Sequence, residues 1–161
     1  MKKLVLLACV FALLIVATGG ASAHNSGPDQ FTITGGTDAF NQQTLFNGLI
    51  IYQSVASGDV NGYFDGADFR FVEWGIGSFN PETMEANGIN YGDMVITNGP
   101  GNRAFVRFAG QADLFSVWGS YRILQGTGQY AGLRGQGTYT GSTDLGYGFS
   151  VQFSGNFYTQ P

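Results

Sequence analysis

Two ionisable side chains lie among aromatic residues in segments with strand-like alternation, and they are the strongest candidates for chemistry. Glu73 shares one predicted strand face with Phe69 and Phe71, and Arg122 shares another with Trp118. Inside a barrel this carboxylate and guanidinium would need each other or water, because an unpaired buried charge is costly. Such a pair could anchor a carboxylate tail or open an epoxide by acid catalysis. We favour the alternative that both face solvent, since long charged side chains are mostly exposed.

Aromatic residues supply the rest of the predicted ligand site, although the sequence does not say which strand face is inward. No catalytic residue is assigned. If the interior is hollow, the candidate ligand-binding residues are Phe69, Glu73, Phe105, Trp118, Tyr121, Arg122 and Phe149. The same aromatic side chains could instead fill a dry core.

Metal-binding patterns are weak, and we expect no metal and no cofactor. His24 is the only histidine, so a copper site with two histidines, a zinc site of the usual type or a histidine-based triad lacks its ligands. The segment 59–68 is rich in Asp, Asn and Gly, but Tyr63 stands where a calcium loop needs its third ligand. Hairpin turn chemistry explains this segment equally well.

The first 23 residues have the pattern of a secretory signal peptide. Lys2 and Lys3 precede an apolar run over residues 4–17, and small residues at 21–23 suit signal peptidase. The run is shorter than the roughly 20 residues of a transmembrane helix. We therefore predict a signal peptide (1–23), a flexible leader (24–30) and one barrel domain (31–161), in a secreted or periplasmic protein without a membrane span. The single cysteine, Cys9, falls within the signal.

Charge limits the partners of the exported chain. Loss of the two lysines leaves five arginines against eleven acidic residues, a net charge of −6. Nucleic acids and anionic membranes bind basic faces, so both are poor partners for this chain, and we expect no nucleic acid. Abundant glycine and aromatic residues with few charges indicate short strands and tight turns.

Alternation predicts about eight strands. A first strand is expected at 31–34, where Gly35-Gly36 ends it, and a second at 45–55, with both faces covered. Further strands are expected around 69–74 and at 94–97, 103–109, 114–124 and 149–157. The alternation of the last strand begins at Tyr147. Residues 75–92 are expected to contain the longest loop, at the mouth of the barrel. Eight such strands favour an all-β, single antiparallel closed barrel, which leaves no exposed sheet edge.

Glycines punctuate residues 123–141 at fixed places. Gly126, Gly128, Gly132 and Gly135 allow positive φ or close backbone packing, and Tyr130 and Leu133 between them should be buried as a hydrophobic plug. A phosphate-binding loop is the alternative, but its glycine spacing and following helix are missing.

Residues 126–135, Gly-Thr-Gly-Gln-Tyr-Ala-Gly-Leu-Arg-Gly, resemble the Gly-Thr-Gly-aromatic-Ala-Gly segment of the allene oxide cyclase and dirigent barrel superfamily. The segments 108–121 and 149–157 are similar to secreted bacterial members of that group. The resemblance implies a calycin-like barrel of eight strands with a hydrophobic cavity, often a homotrimer. The plant relatives guide cyclisation of a fatty-acid epoxide or phenol coupling, but no plant active-site motif matches the first half of this chain.

Three functions remain open. The leading prediction is a secreted barrel that binds or shelters a small apolar molecule without catalysis. The second is an isomerase or cyclase acting on an unsaturated lipid or phenolic in the cavity. The third is a small outer-membrane or structural barrel, against which stand the missing terminal aromatic residue and the charges in strand 103–109.

Overall fold

The computed structural model describes residues 29–144 and 148–160, which form one closed antiparallel barrel with each strand paired to its neighbours in sequence. The predicted signal peptide, His24 and Tyr147 lie outside the described residues. The predicted fold class is confirmed, and the barrel is consistent with a calycin-like fold. The strands are β1 (Asp29–Thr44), β2 (Ile50–Gly62), β3 (Ala67–Asn80), β4 (Glu85–Thr97), β5 (Arg103–Asp113), β6 (Ser116–Thr127), β7 (Leu133–Asp144) and β8 (Gly148–Thr159).

Hairpin connections alternate between the two ends of the barrel. Residues 63–66, 98–102 and the 3-10 turn Gly128–Tyr130 lie at one end, which we call the closed end. Residues 45–49, 81–84 and 114–115 lie at the other, which we call the mouth. Closure between β8 and β1 runs from Asp29↔Gly155 to Gly36↔Gly148. Beyond Gly36, β1 continues toward the mouth paired with β2, after a register shift between Thr37 and Ala39.

Aromatic rings fill the closed end. Phe31 stacks on Phe153 with ring centroids 4.5 Å apart and meets Phe64 edge to face at 5.1 Å. Phe157 and Tyr121 pack against the same ring. Phe31 occupies an inward-facing position of β1, and Phe153 and Phe157 occupy inward-facing positions of β8, so strand alternation buries these three rings. The hydrophobic core is therefore concentrated at this end.

The glycine-rich segment between β6 and β7 caps the closed end. Gly128 and Gly132 have φ of +60° and +76°, a region that favours glycine. Leu133 is buried, and the Tyr130 ring meets Phe64 edge to face at 5.2 Å. This turn thus adds an aliphatic and an aromatic side chain to the core.

Strand positions are confirmed for 94–97, 103–109 and 149–157, which lie in β4, β5 and β8. The predicted strand at 45–55 begins only at Ile50, because residues 45–49 form a turn closed by Leu45 N–H donating to Leu49 O at 2.7 Å. The prediction that both faces of this strand are covered is also wrong, since the Ile51 side chain points outward and is exposed.

Two predicted strand ends are wrong, because glycine does not break the strands at these positions. β1 runs through Gly35, where a Cβ would overlap the Ser57 carbonyl and approach Phe69 Cζ to 2.8 Å. The long loop over 75–92 is instead the end of β3, a four-residue turn and the start of β4. Gly75 and Gly92 lie there beneath the rings of Tyr52 and Phe108. Glycine marks places where another group packs on the backbone.

Candidate functional site

A cavity of about 740 Å³ opens at the mouth and ends on the closed-end core. Val151, Met94 and Phe153 are among the apolar side chains that line its inner part. Aromatic side chains from six strands form much of the wall: Phe40, Tyr52, Phe71, Phe108, Tyr139 and Phe149. Its size is within the roughly 300–1,000 Å³ of small-molecule sites.

A chain of four hydrogen-bonded side chains crosses this apolar wall. Tyr52 Oη donates to Glu73 Oε1 at 3.0 Å, and Asn90 Nδ2 donates to Glu73 Oε2 at 3.1 Å. Tyr139 Oη donates to Asn90 Oδ1 at 3.3 Å. We call these four residues the polar cluster, and all of them line the cavity. Three neutral side chains thus hold one carboxyl group in place.

Strand register explains why these side chains meet. Tyr52, Asn90 and Tyr139 lie in one row of the barrel, which runs Tyr52↔Gly75↔Asn90↔Gly110↔Gly119↔Tyr139. The glycines of this row leave room for the two tyrosine rings to extend across neighbouring strands. A Cβ on Gly110 would overlap the Tyr139 hydroxyl, and one on Gly119 would lie 2.8 Å from Tyr139 Cε1. Glycine in β3, β5 and β6 is therefore what allows the polar cluster to form.

The electrostatics of the cluster favour uncharged groups. Burial raises the pKa of Glu73 above its ordinary value, although its hydrogen bonds from Tyr52 and Asn90 oppose that rise. Burial also raises the pKa of Tyr52 and of Tyr139, and the nearby Glu73 adds to both increases. The tyrosines therefore remain protonated hydrogen-bond donors at any ordinary pH.

No basic side chain among residues 29–144 and 148–160 lines the cavity. The arginines of this part of the chain occupy outward positions of their strands; Arg107, for example, forms an exposed ion pair with Asp93 at 2.8 Å. Asp113, the last residue of β5, also lines the cavity. Its side chain accepts hydrogen bonds from the backbone N–H groups of Phe115 and Ser116. The cavity thus contains carboxyl groups and no counter-charge from the described residues.

The candidate residues from the sequence divide between the two faces of the wall. Phe69, Glu73, Tyr121 and Phe149 face inward, and Glu73 and Phe149 line the cavity. Phe69 stacks on Phe71 beside it, whereas Tyr121 lies in the closed-end core, where its buried hydroxyl has no hydrogen-bond partner among the described residues.

Phe105, Trp118 and Arg122 face outward, so the cavity-lining position predicted for them is wrong. Successive side chains of a strand point to opposite faces, and the inward neighbours are Val106, Val117 and Ile123. Glu73 and Arg122 therefore do not form an internal pair. The favoured solvent-facing interpretation fits Arg122 but is wrong for Glu73.

Sequence reasoning missed Tyr52, Asn90 and Tyr139, because their meeting depends on register across six strands. One signal was present: alternation placed Glu73 on the same face as Phe69 and Phe71, and an acidic residue on an apolar face needs hydrogen-bond donors. The strand glycines were a second signal, since they leave space for large rings.

The segment 59–68 contains the end of β2, a hairpin turn at 63–66 and the start of β3. Asp65 N–H donates to Gly62 O, and Ala67 N–H donates to Phe64 O, each at 3.0 Å. Across the described ranges, the structure contains no group of three or more His, Cys, Asp or Glu side chains placed to hold a metal ion. In the same ranges, no helix has the length and hydropathy needed to cross a membrane.

Neither a protein-family model nor a curated protein matches this chain. The likeness of residues 126–135 to the allene oxide cyclase and dirigent group therefore stays a resemblance. What the structure establishes is the closed eight-stranded antiparallel barrel.

Proposed function

We propose that this chain is an exported barrel that binds a small, mainly apolar molecule in the cavity, with the polar end of the molecule against the polar cluster. The observation that carries the proposal is an aromatic-walled cavity of about 740 Å³ whose wall holds the partly buried, hydrogen-bonded carboxyl group of Glu73. Ligand sites typically combine an apolar lining with a few placed polar groups that fix orientation.

The distribution of charge supports a cavity binder over a barrel embedded in lipid. Charged side chains such as Arg70, Asp93, Arg107 and Arg122 lie on the outer face, while the interior of the closed end is apolar. Transmembrane barrels have the opposite pattern, with an apolar outer band and a polar interior. Export is supported by the basic, apolar and small-residue pattern of residues 1–23, and the exported chain would begin at His24.

Blocking the cavity tests the proposal. The fluorescence of N-phenyl-1-naphthylamine, a neutral apolar probe, rises when it leaves water, so titration gives its affinity for the purified protein. Ala112 lines the cavity, and the bulky side chain of Ala112→Trp should weaken probe binding at least about tenfold. Ala109→Trp is the matched control, because Ala109 lies on the outer face of the same strand.

Equal affinity of the wild type and Ala112→Trp, or no probe binding by the wild type, would contradict the proposal. Loss of binding in Ala109→Trp as well would place the probe on the outer surface. Circular dichroism of both variants establishes that the barrel is intact.

An isomerase or cyclase is the second candidate, and one observation favours it. Burial raises the pKa of Glu73, so this carboxyl group keeps its proton at a higher pH than an ordinary glutamate and could donate it to an epoxide oxygen. Incubating an unsaturated fatty-acid epoxide with the wild type and with Glu73→Gln tests this. Product formation by the wild type alone would favour the enzyme over the simple binder.

We also propose that copies of the chain associate through the outer face of β2–β4. Ile51, Ile76 and Ile89 form one row across these strands, and Trp74 stacks on Tyr91 at 5.6 Å beside them. The shallow groove formed there has no charged lining residue. Uncharged, aromatic-rich surfaces are typical of the centres of protein interfaces. This face supports a homo-oligomer, for which the resemblance implies a trimer.

A further inference from the structure

The direction of the hydrogen bonds in the polar cluster determines what the ligand must offer. The hydroxyl protons of Tyr52 and Tyr139 and one Asn90 N–H are already donated within the cluster. The groups left over are mainly lone pairs, on the Glu73 carboxyl and the tyrosine oxygens. A ligand bound here must therefore donate hydrogen bonds more than accept them.

The charge of the cavity lining also limits which ligands fit. Glu73 lies in the wall without a cationic partner, and no basic residue in the described ranges lines the cavity. A carboxylate ligand would meet a second carboxyl group and find no cation there. A ligand with a positive charge would supply the counter-ion that Glu73 lacks.

The aromatic wall of the cavity also favours a positively charged ligand. Tyr52 carries the hydroxyl that donates to Glu73, and Phe71, on the same strand and face as Glu73, also lines the cavity. The faces of aromatic rings are electron-rich and attract cations. Rings and carboxylate together form the type of surroundings in which proteins bind ammonium groups, while the remaining apolar wall suits a hydrocarbon tail.

We propose that the cavity selects a protonated amine with an apolar tail, whose ammonium group donates hydrogen bonds to Glu73. This inference rests on the proposed function and specifies the chemical class of the ligand. Ammonium and carboxylate would compensate each other where water is scarce, and the tail would lie along the aromatic wall toward the mouth.

Three ligands of equal chain length test the choice of head group. Dodecylamine, dodecanol and dodecanoate, each below its micellar or solubility limit, compete with N-phenyl-1-naphthylamine for the wild-type protein at pH 7.5. We expect the amine to bind at least about tenfold more tightly than the alcohol, and dodecanoate to bind weakest. Because this ranking uses the wild type, it does not depend on a variant folding.

Glu73→Gln tests the residue assignment. We expect the variant to bind the amine and the alcohol with similar affinity, because the amide carries no negative charge. Asp68→Asn is the matched control, because Asp68 is an exposed carboxylate of the same strand that does not line the cavity, and this variant should keep the preference for the amine. An amine attracted only by the acidic surface would keep its preference in both variants.

The outcomes separate the two proposals. Binding of the alcohol or of dodecanoate as tightly as the amine overturns the amine assignment and leaves the cavity binder standing. Preference for the amine that survives in Glu73→Gln overturns it as well. Failure of the probe and all three ligands to bind overturns the proposed function itself.

Discussion

Glu73 is an acidic group whose two oxygens accept hydrogen bonds from neutral donors, Tyr52 Oη and Asn90 Nδ2. Desolvation is the largest influence on it and raises its pKa above the ordinary value of 4.5. Its protonated form is therefore favoured more strongly in the folded protein than in the unfolded chain. The stability that this preference contributes is fully present below pH 4.5 and is lost as the pH rises through the folded-state pKa.

Glu73→Gln removes this titration. We expect the free energy of unfolding of the wild type to fall, relative to the variant, as the pH rises from 4.5 through the folded-state pKa. Urea unfolding of both proteins at pH 4 to 8 measures the difference, and other titrating groups contribute equally to both. Curves that stay parallel over this interval would show that Glu73 titrates normally in the folded protein.

At the level of strands, inward glycines set how closely neighbouring segments and rings approach. Gly119 faces the Tyr139 ring, and a Cβ there would overlap the Ala109 carbonyl. Gly119→Ala should cost about 1–3 kcal/mol in unfolding free energy, because neither the ring nor the strand can move without disturbing others. It should also displace Tyr139 from Asn90.

Gly88→Ala is the control for this change, since Gly88 faces inward too but its nearest neighbour, Ile76 O, would lie 3.2 Å from the new Cβ. Chemical denaturation of both variants compares the two costs. An equal loss would mean that glycine's effect on the unfolded chain, and not the close approach to Tyr139, controls stability at these positions.

The alternation of apolar and polar residues predicts which side chains of a strand face inward, and most of the fold could be predicted from it. In β8, Phe149, Val151 and Phe153 alternate with polar residues, and the structure places them inward as such a pattern requires. The same reasoning correctly grouped Glu73 with Phe69 and Phe71. The internal pair with Arg122, which it offered as an alternative to solvent exposure, does not form, because one strand's period does not reveal which residue of another strand lies opposite.

Glycine was the main source of error for the strand boundaries. Gly35 and Gly75 read as breaks in the sequence, yet each lies within a strand where a carbonyl or ring packs on it. The sequence does not distinguish a glycine in a turn from a glycine in a strand on which another group packs. Only the group that lies against the glycine in the folded protein distinguishes them. The polar cluster depends on such neighbours at Gly75, Gly110 and Gly119, so its composition could not be derived from the sequence alone.

For the whole molecule, packing is divided between a filled end and a hollow one. Phe31 is buried at the closed end among Phe64, Phe153 and Phe157, whereas Phe149 faces the cavity and is only partly buried. Phe31→Ala should therefore cost about 3–5 kcal/mol in unfolding free energy. Phe149→Ala should cost less, because that side chain already borders open space.

Denaturant unfolding of the two phenylalanine variants measures both values. A larger loss for Phe149→Ala would mean that the mouth contributes more to stability than the closed end. We expect the larger loss for Phe31→Ala. This result would mean that the closed end supplies most of the packing, so that the barrel remains stable with a cavity at the mouth.

β1 begins and β8 ends at the closed end, where Phe157 N–H donates to Asp29 Oδ2 at 2.8 Å. Both ends of the barrel's chain thus leave from the side opposite the mouth. A tether fused before Asp29 or after Thr159, whether a lipid anchor, a bead or a second domain, would hold the barrel with its opening turned away from the support. Immobilised in that orientation, the protein would keep its entrance accessible, and capture from a flowing solution would proceed without obstruction by the attachment.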